Sequence, residues 1–128
     1  MVHCCIMYDL TIETTFSSAH NLRGYEGACE NLHGHNWRVT VTVSCAKLDS
    51  LGMVVDFKKL KEKTKKVIEG LDHKYLNELP PFAKENATAE NISRYIFKEV
   101  SLSVNTPDMR VSRVRVWESE NASAEYYE

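Results

Sequence analysis

Two stretches of the chain alternate strictly between apolar and polar side chains. From Tyr8 to Phe16, Tyr8, Leu10, Ile12, Thr14 and Phe16 fall on one side and Asp9, Thr11, Glu13 and Thr15 on the other. From Asn36 the pattern returns, with Trp37, Val39, Val41, Val43 and Cys45 set against Arg38, Thr40, Thr42 and Ser44. A period of two is that of a β-strand, so both stretches are strands buried on one face and wet on the other. Such strands need a second layer to cover one face of an antiparallel sheet. Residues 17–32, with Ser17, Ser18, Asn21, Gly24 and Gly27, read as a long loop between them.

The covering layer follows. After a turn at Leu48–Gly52 and a short extended piece at Met53–Val55, Asp56 can cap a helix on which Phe57, Leu60, Thr64, Val67, Ile68 and Leu71 recur at helical spacing. Six lysines between Lys58 and Lys66 mostly occupy the other face; they form a solvated surface or steer an anionic substrate. Gly70 ends this helix, and Pro80-Pro81 excludes helix from the irregular connection Leu71–Pro81. Thr88 caps a second helix with Glu90 in its first turn and Ile92, Tyr95, Ile96 and Val100 as its apolar stripe. Beyond Pro107, a third strand runs from Arg110 to Glu118, Ser112, Val114 and Val116 alternating with Val111, Arg113 and Arg115; Ala122–Tyr127 can form a fourth. The order β-β-α-α-β-β predicts an α+β fold, with two helices on one face of an antiparallel sheet.

At 128 residues the chain has the size of one domain, 1–128, with residues 1–7 a frayed end. A core of this size leaves little room for a deep private cleft, so a deep active site would have to be built between subunits. A hydrophobic content of 43% with 5 Gly and 3 Pro excludes a disordered or collagen-like chain. Sixteen Lys and Arg against 18 Asp and Glu, a net charge of −2, argue against a general nucleic-acid binder. No apolar run reaches the ~18–20 residues of a membrane span, and Met1–Asp9 have neither a basic segment nor an apolar stretch of signal length, so no targeting segment is expected there. Together these predict a cytoplasmic protein. In a reducing compartment Cys4 and Cys5 are expected as free thiols, with metal binding through His3-Cys4-Cys5 the other reading, and Cys45 continues an apolar strand face.

Four histidines lie in segments with chemical potential. His33-Gly34-His35 places two imidazoles at i and i+2, which in an extended chain point to the same side about 6–7 Å apart. His20 lies just past the first strand and His33 just before the second; antiparallel pairing brings the end of one to the start of the other. Three histidines without a fourth protein ligand form a catalytic type of zinc site, with one position open to water or substrate. A His-x-His pair on its own also occurs on ordinary surface strands.

Four further groups accompany them. Cys29, four residues before His33, would have a lowered thiol pKa near a divalent cation and can serve as ligand, base or nucleophile. Glu30 is a second possible base. Asp72-His73 follows the first helix; adjacent residues do not readily form a relay with each other, so each is expected to reach a different partner, the alternative being a helix-exit cap. Glu118, beside Trp117 at a strand end, can accept two hydrogen bonds from an N–C–N edge such as that of a pterin or guanine ring, or is an ordinary terminal charge.

Phe16-Ser17-Ser18-Ala19-His20, Cys29-Glu30-Asn31-Leu32-His33-Gly34-His35-Asn36, Leu71-Asp72-His73-Lys74-Tyr75-Leu76-Asn77, Thr88-Ala89-Glu90-Asn91 and Trp117-Glu118-Ser119 occur together in this order. In this the chain resembles the 6-pyruvoyl-tetrahydropterin synthase / 6-carboxytetrahydropterin synthase family, from about Tyr8 to the C-terminus. The resemblance implies the tunnelling fold (T-fold), a β-β-α-α-β-β unit whose copies join through their sheets into barrels, two trimers usually forming a hexamer. It implies zinc on His20, His33 and His35, Cys29 as base, Asp72 and His73 as a relay pair, Glu118 as the anchor of the pterin ring, and Thr88 and Glu90 lining the pterin pocket. The implied substrate is 7,8-dihydroneopterin triphosphate. In the implied mechanism zinc stabilises charge developing on the side-chain oxygens, Cys29 removes a proton from the side-chain carbon next to the ring, His73 shuttles protons and Glu118 fixes the ring.

One departure bears on the product. Only Glu30-Asn31-Leu32 separate Cys29 from the His-Gly-His motif, a short gap like that of the 6-carboxytetrahydropterin synthases of queuosine biosynthesis. Glu30 beside Cys29 also resembles a subgroup in which a glutamate cleaves the side chain to 6-hydroxymethyl-dihydropterin for folate synthesis. Two rivals stand outside this choice: a zinc- and pterin-binding module without turnover, and a zinc hydrolase with Glu30 as base, which leaves Glu118 and Thr88-Ala89-Glu90 without a role. A triphosphate substrate would need a local basic patch that the net charge conceals.

Overall fold

Strand β1 (Tyr8–His20) and strand β2 (His33–Cys45) pair antiparallel without interruption from Tyr8↔Cys45 to His20↔His33. The computed structural model describes residues 7–25 and 30–128; residues 1–6, with Cys4, Cys5 and most of the end expected to fray, and also Cys29 lie outside the described residues. β1 outruns its expected end at Phe16, taking in Ser17–His20, which the sequence had suggested as loop. These residues lack an apolar alternation, but Ser18 is buried by hydrogen bonds instead: its hydroxyl donates to the carbonyls of Leu71 and Ser17, and its own carbonyl accepts the Trp37 indole N–H at 3.2 Å.

Helix α1 (Phe57–Glu69) starts where Asp56 accepts the N–H of Lys58 at 2.8 Å, and helix α2 (Ala89–Val104) where Thr88 accepts that of Asn91 at 3.1 Å. Leu60, Thr64 and Ile68 of α1 are buried, whereas Phe57, expected in that stripe, is exposed on the first turn. Between the helices, Leu76–Glu78 and Pro80–Phe82 form two short 3-10 turns. The proline pair was expected to exclude helix, but Pro80 opens the second turn, where its missing N–H and fixed φ cost nothing.

Strand β3 (Met109–Ser119) pairs with β2, and β4 (Ala122–Tyr127) with β3, giving a four-stranded antiparallel sheet in the order β1-β2-β3-β4. The expected alternation along β3 fails at one point. Thr42 faces Arg113 but Val43 faces Val111, so Ser112 is an extra residue in a bulge. The bulge turns Val111 onto the same buried face as Val114 and Val116; the extra Ser112 is buried against the hydroxyl of Ser44 at 2.8 Å.

The helices cover one face, and Ile12, Phe16, Trp37, Val39, Val41 and Val43 pack there against Leu60, Ile68, Ile92, Ile96 and Val100. Cys45 is buried on the same side. The other face carries Asp9, Glu13, Arg38, Arg113, Arg115 and Glu125 in ion pairs. The α+β class and the β-β-α-α-β-β order are as expected. Among the described residues, no helix is long and apolar enough to cross a membrane.

Candidate metal centre

His20 closes β1, His33 opens β2, and the ladder sets them directly opposite each other; both lie within strands rather than beyond their ends. His35, two residues on, shares their face. The three rings meet edge to face, with centroids 4.7–5.1 Å apart. Trp37 is next on that face, 4.9 Å from His20 and 5.0 Å from His35, and joins the cluster to the apolar core.

Two of the rings are held through Nδ1. His20 Nδ1 donates to the carbonyl of Ala87 at 2.7 Å, and His33 Nδ1 to that of Asn31 at 2.8 Å. These bonds place the protons on Nδ1 and leave the Nε2 lone pairs free, as in metal-ligating histidines. Burial holds the His35 imidazole below its ordinary pKa, against the pull of Glu118. Nε2 of His20 and of His35 is buried without a hydrogen-bond partner. Buried nitrogens left in this state cost free energy, and a divalent cation would satisfy them. The ligand atoms of His20, His33, His35 and Glu118 lie within 4.8 Å of one another. Three imidazoles and a carboxylate suit zinc or a similar divalent ion.

Glu118 had been expected on the substrate, not among the ligand atoms. The signal was available: β2 begins with the histidines and β3 ends with Glu118, so antiparallel pairing brings them together by the same logic that joined His20 to His33.

Glu30 stands beside the cluster, Oε1 3.8 Å from His33 Nε2. Its backbone exchanges hydrogen bonds with Leu22 and Asn21, and its carboxylate accepts the Leu22 N–H at 3.3 Å. Asn77 in turn holds the backbone of Asn21 through both of its amide groups, at 3.1 and 2.8 Å, and the Tyr75 hydroxyl donates to the Asn21 side chain at 2.6 Å. Tyr75 and Asn77 thus brace the loop that presents Glu30, a role the sequence reading did not assign. Thr88 is the N-cap of α2, one residue beyond the carbonyl that holds His20. That carbonyl is steadied by Asn86, which pairs twice with the Arg23 backbone at 2.9 and 3.0 Å. Glu90 lies exposed on the first turn of α2.

Asp72 and His73 stand apart from the cluster, on the free edge of β1. Contrary to expectation they contact each other: His73 Nδ1 lies 3.0 Å from Asp72 Oδ2. The backbone makes this possible, since His73 has φ 55, a left-handed conformation uncommon for residues other than glycine. It is held there by its N–H, which donates to Ser17 O at 2.6 Å, while the Ser17 N–H donates to Asp72 at 2.9 Å. The Ser17 N–H, and after it His73, hold the Asp72 carboxyl below its usual range. A carboxyl depressed in the folded state contributes stability above its unfolded pKa and loses it as pH falls through the folded one. On acidification from neutrality to below the ordinary value of 3.8, the wild type should therefore lose more stability than Asp72→Asn, as measured by urea midpoints. Parallel curves would show that Asp72 does not tie this segment to β1.

The family model of 6-pyruvoyl tetrahydropterin synthase matches residues 9–128. An Archaeoglobus fulgidus protein provisionally named 6-carboxy-5,6,7,8-tetrahydropterin synthase is 40% identical over 114 residues, spanning 89% of this chain and 90% of its own. The 6-carboxy-5,6,7,8-tetrahydropterin synthase of Haemophilus influenzae is 31% identical over 144 residues, spanning 95% and 100%. Among solved structures, Caenorhabditis elegans 6-pyruvoyl tetrahydropterin synthase superposes with a TM-score of 0.84 at 23% identity and 99% coverage of both chains, a likeness of fold. The fold is thus the T-fold expected from the resemblance, and the curated relatives are enzymes of pterin metabolism. With a model match across nearly its whole length, the chain belongs to the 6-pyruvoyl tetrahydropterin synthase family.

Proposed function

We propose that the protein is a zinc-dependent lyase acting on 7,8-dihydroneopterin triphosphate, as a 6-carboxytetrahydropterin or 6-pyruvoyl-tetrahydropterin synthase. The convergence of His20, His33 and His35 with unpaired, buried Nε2 atoms carries this reading. Bound there, zinc supplies a Lewis acid that favours negative charge on the oxygens of the substrate side chain.

The chain's own residues divide the remaining work. Cys29 is the proposed base that removes the side-chain proton, and Glu30, 3.8 Å from His33, is the second candidate base. His73, with Nδ1 committed to Asp72, exchanges protons at Nε2. Glu118 accepts the N–C–N edge of the ring, and Thr88 and Glu90 line its pocket. Among the described residues, two clefts of about 360 and 450 Å³ lie along the α1–β1 groove and on the uncovered sheet face, away from the histidines. This supports a pterin pocket between subunits of a homo-oligomer, a dimer of trimers, in which the exposed Asp72–His73 pair serves a neighbouring copy. Lys61 and Lys65 share the groove with Asp72 and are the basic groups proposed to attract the triphosphate. The proposed setting is cytoplasmic, without nucleic acid or membrane, in queuosine biosynthesis.

A second reading, cleavage to 6-hydroxymethyl-dihydropterin for folate synthesis, is favoured by the braced position of Glu30. Mass analysis of products from zinc-loaded protein and dihydroneopterin triphosphate decides between the two. The 6-carboxy or 6-pyruvoyl product should dominate, be abolished in Cys29→Ala, and give way to any 6-hydroxymethyl product only while Glu30 is intact. If Glu30→Ala leaves every product unchanged, Glu30 is a loop residue. Bound zinc and pterin with no product would restore the non-catalytic module, and hydrolysis of non-pterin esters the zinc hydrolase.

A further inference from the structure

Glu118 occupies an unusual place in the sheet. Arg38↔Trp117 is the last pair between β2 and β3, and the β3–β4 register shifts between Trp117 and Ser119. Glu118 is therefore unpaired on both sides, at the kind of irregularity that re-aims a side chain. Its Oε1 stands 3.3 Å from His20 Nε2 and 3.1 Å from His35 Nε2. Neither nitrogen has a hydrogen-bond partner. The distances have another meaning. Zinc–nitrogen and zinc–oxygen bonds of about 2.0–2.1 Å place tetrahedral ligands about 3.3–3.4 Å apart. The two Glu118–histidine distances match that spacing, and the ligand atoms of all four residues lie within 4.8 Å of one another. His20 is 2% exposed, so solvent does not satisfy its Nε2.

We propose that Glu118 is the fourth ligand of the resting metal centre, and that substrate must release it. The protein shell is then closed at rest, unlike the open three-histidine site expected from the sequence. A substrate oxygen enters only as the carboxylate leaves, and the freed carboxylate becomes available to the N–H groups of the ring. One side chain thereby links docking of the ring to opening of the metal. The exchange rests on the pterin reading; the ligand assignment does not.

The test uses zinc affinity, by chelator competition, and the visible spectrum of cobalt-substituted protein, for the wild type, Glu118→Gln and Glu118→Asp. Zinc binding should weaken at least ~10-fold in Glu118→Gln, by analogy with the ~10–100-fold cost of losing even outer-shell partners. Its cobalt spectrum should differ from that of the wild type, and Glu118→Asp should recover part of both. Equal zinc affinity and identical cobalt spectra in wild type and Glu118→Gln would overturn the ligand assignment. Thermal unfolding of the metal-free proteins separates this from misfolding, since metal-free wild type and Glu118→Gln should melt alike. Dihydroneopterin triphosphate should then shift the wild-type cobalt spectrum toward that of Glu118→Gln with the same compound. If pterin fluorescence reports binding while the wild-type spectrum stays fixed, the exchange is wrong. If no binding occurs at all, the pterin reading fails while the cobalt result on Glu118 stands.

Discussion

Replacing His20 with alanine should strip the metal and lower pterin conversion by about a thousandfold or more. The magnitude follows from several kcal/mol of charge stabilisation by a metal, at ~1.4 kcal/mol per tenfold in rate. His20 is the most constrained of the three histidines: it is buried, tied to Ala87 and packed against His33, His35 and Trp37. Metal content by elemental analysis and product formation are read together, with His73→Ala alongside. His73 touches Asp72 and Ser17 rather than the cluster, so its alanine variant should keep its metal and lose only activity. A His20→Ala protein that retains one equivalent of metal would sink the assignment of this cluster as the metal site.

The second large effect is on stability. Trp37 has no exposed surface, stacks on Phe16 at 5.9 Å and donates its indole N–H to Ser18. Truncating a buried tryptophan to alanine costs about 3–5 kcal/mol, against a whole-domain stability of about 5–15 kcal/mol. Trp37→Ala should therefore bring the urea midpoint down by a fifth or more, in the metal-free protein as well as the loaded one. Trp37→Phe keeps a ring against Phe16 but leaves the Ser18 carbonyl unpaired, so a smaller loss of about 1–3 kcal/mol is expected. A Trp37→Ala midpoint within error of the wild type would show that the junction of core and metal site carries little of the fold's stability.

The fold was legible wherever burial is achieved by apolar side chains. The alternation through Ile12 and Phe16, and through Val39, Val41 and Val43, gave both long strands and their faces. It failed where burial is achieved by hydrogen bonds: Ser17, Ser18 and Ala19 carry no hydrophobic signal, yet Ser18 is buried with its hydroxyl and carbonyl paired. It failed again at Ser112, since a bulge depends on the partner strand as much as on its own residues. The site follows the same division. The grouping of His20, His33 and His35 follows from strand ends alone. The contact of Asp72 with His73 depends on a positive φ that no local pattern announces, and the bracing by Tyr75 and Asn77 on contacts more than fifty positions away in sequence.

The thirteen-residue ladder between β1 and β2 also bears on how such a protein can change. The relative position of His20 and His33 is set by the register of the hairpin, not by the segment that joins them. Residues 21–32 can thus lengthen, shorten or exchange one proton acceptor for another while the imidazoles stay put. On the proposed reading, the Lewis acid and the base are separately heritable, and a new product can arise by rewriting one loop over an old metal.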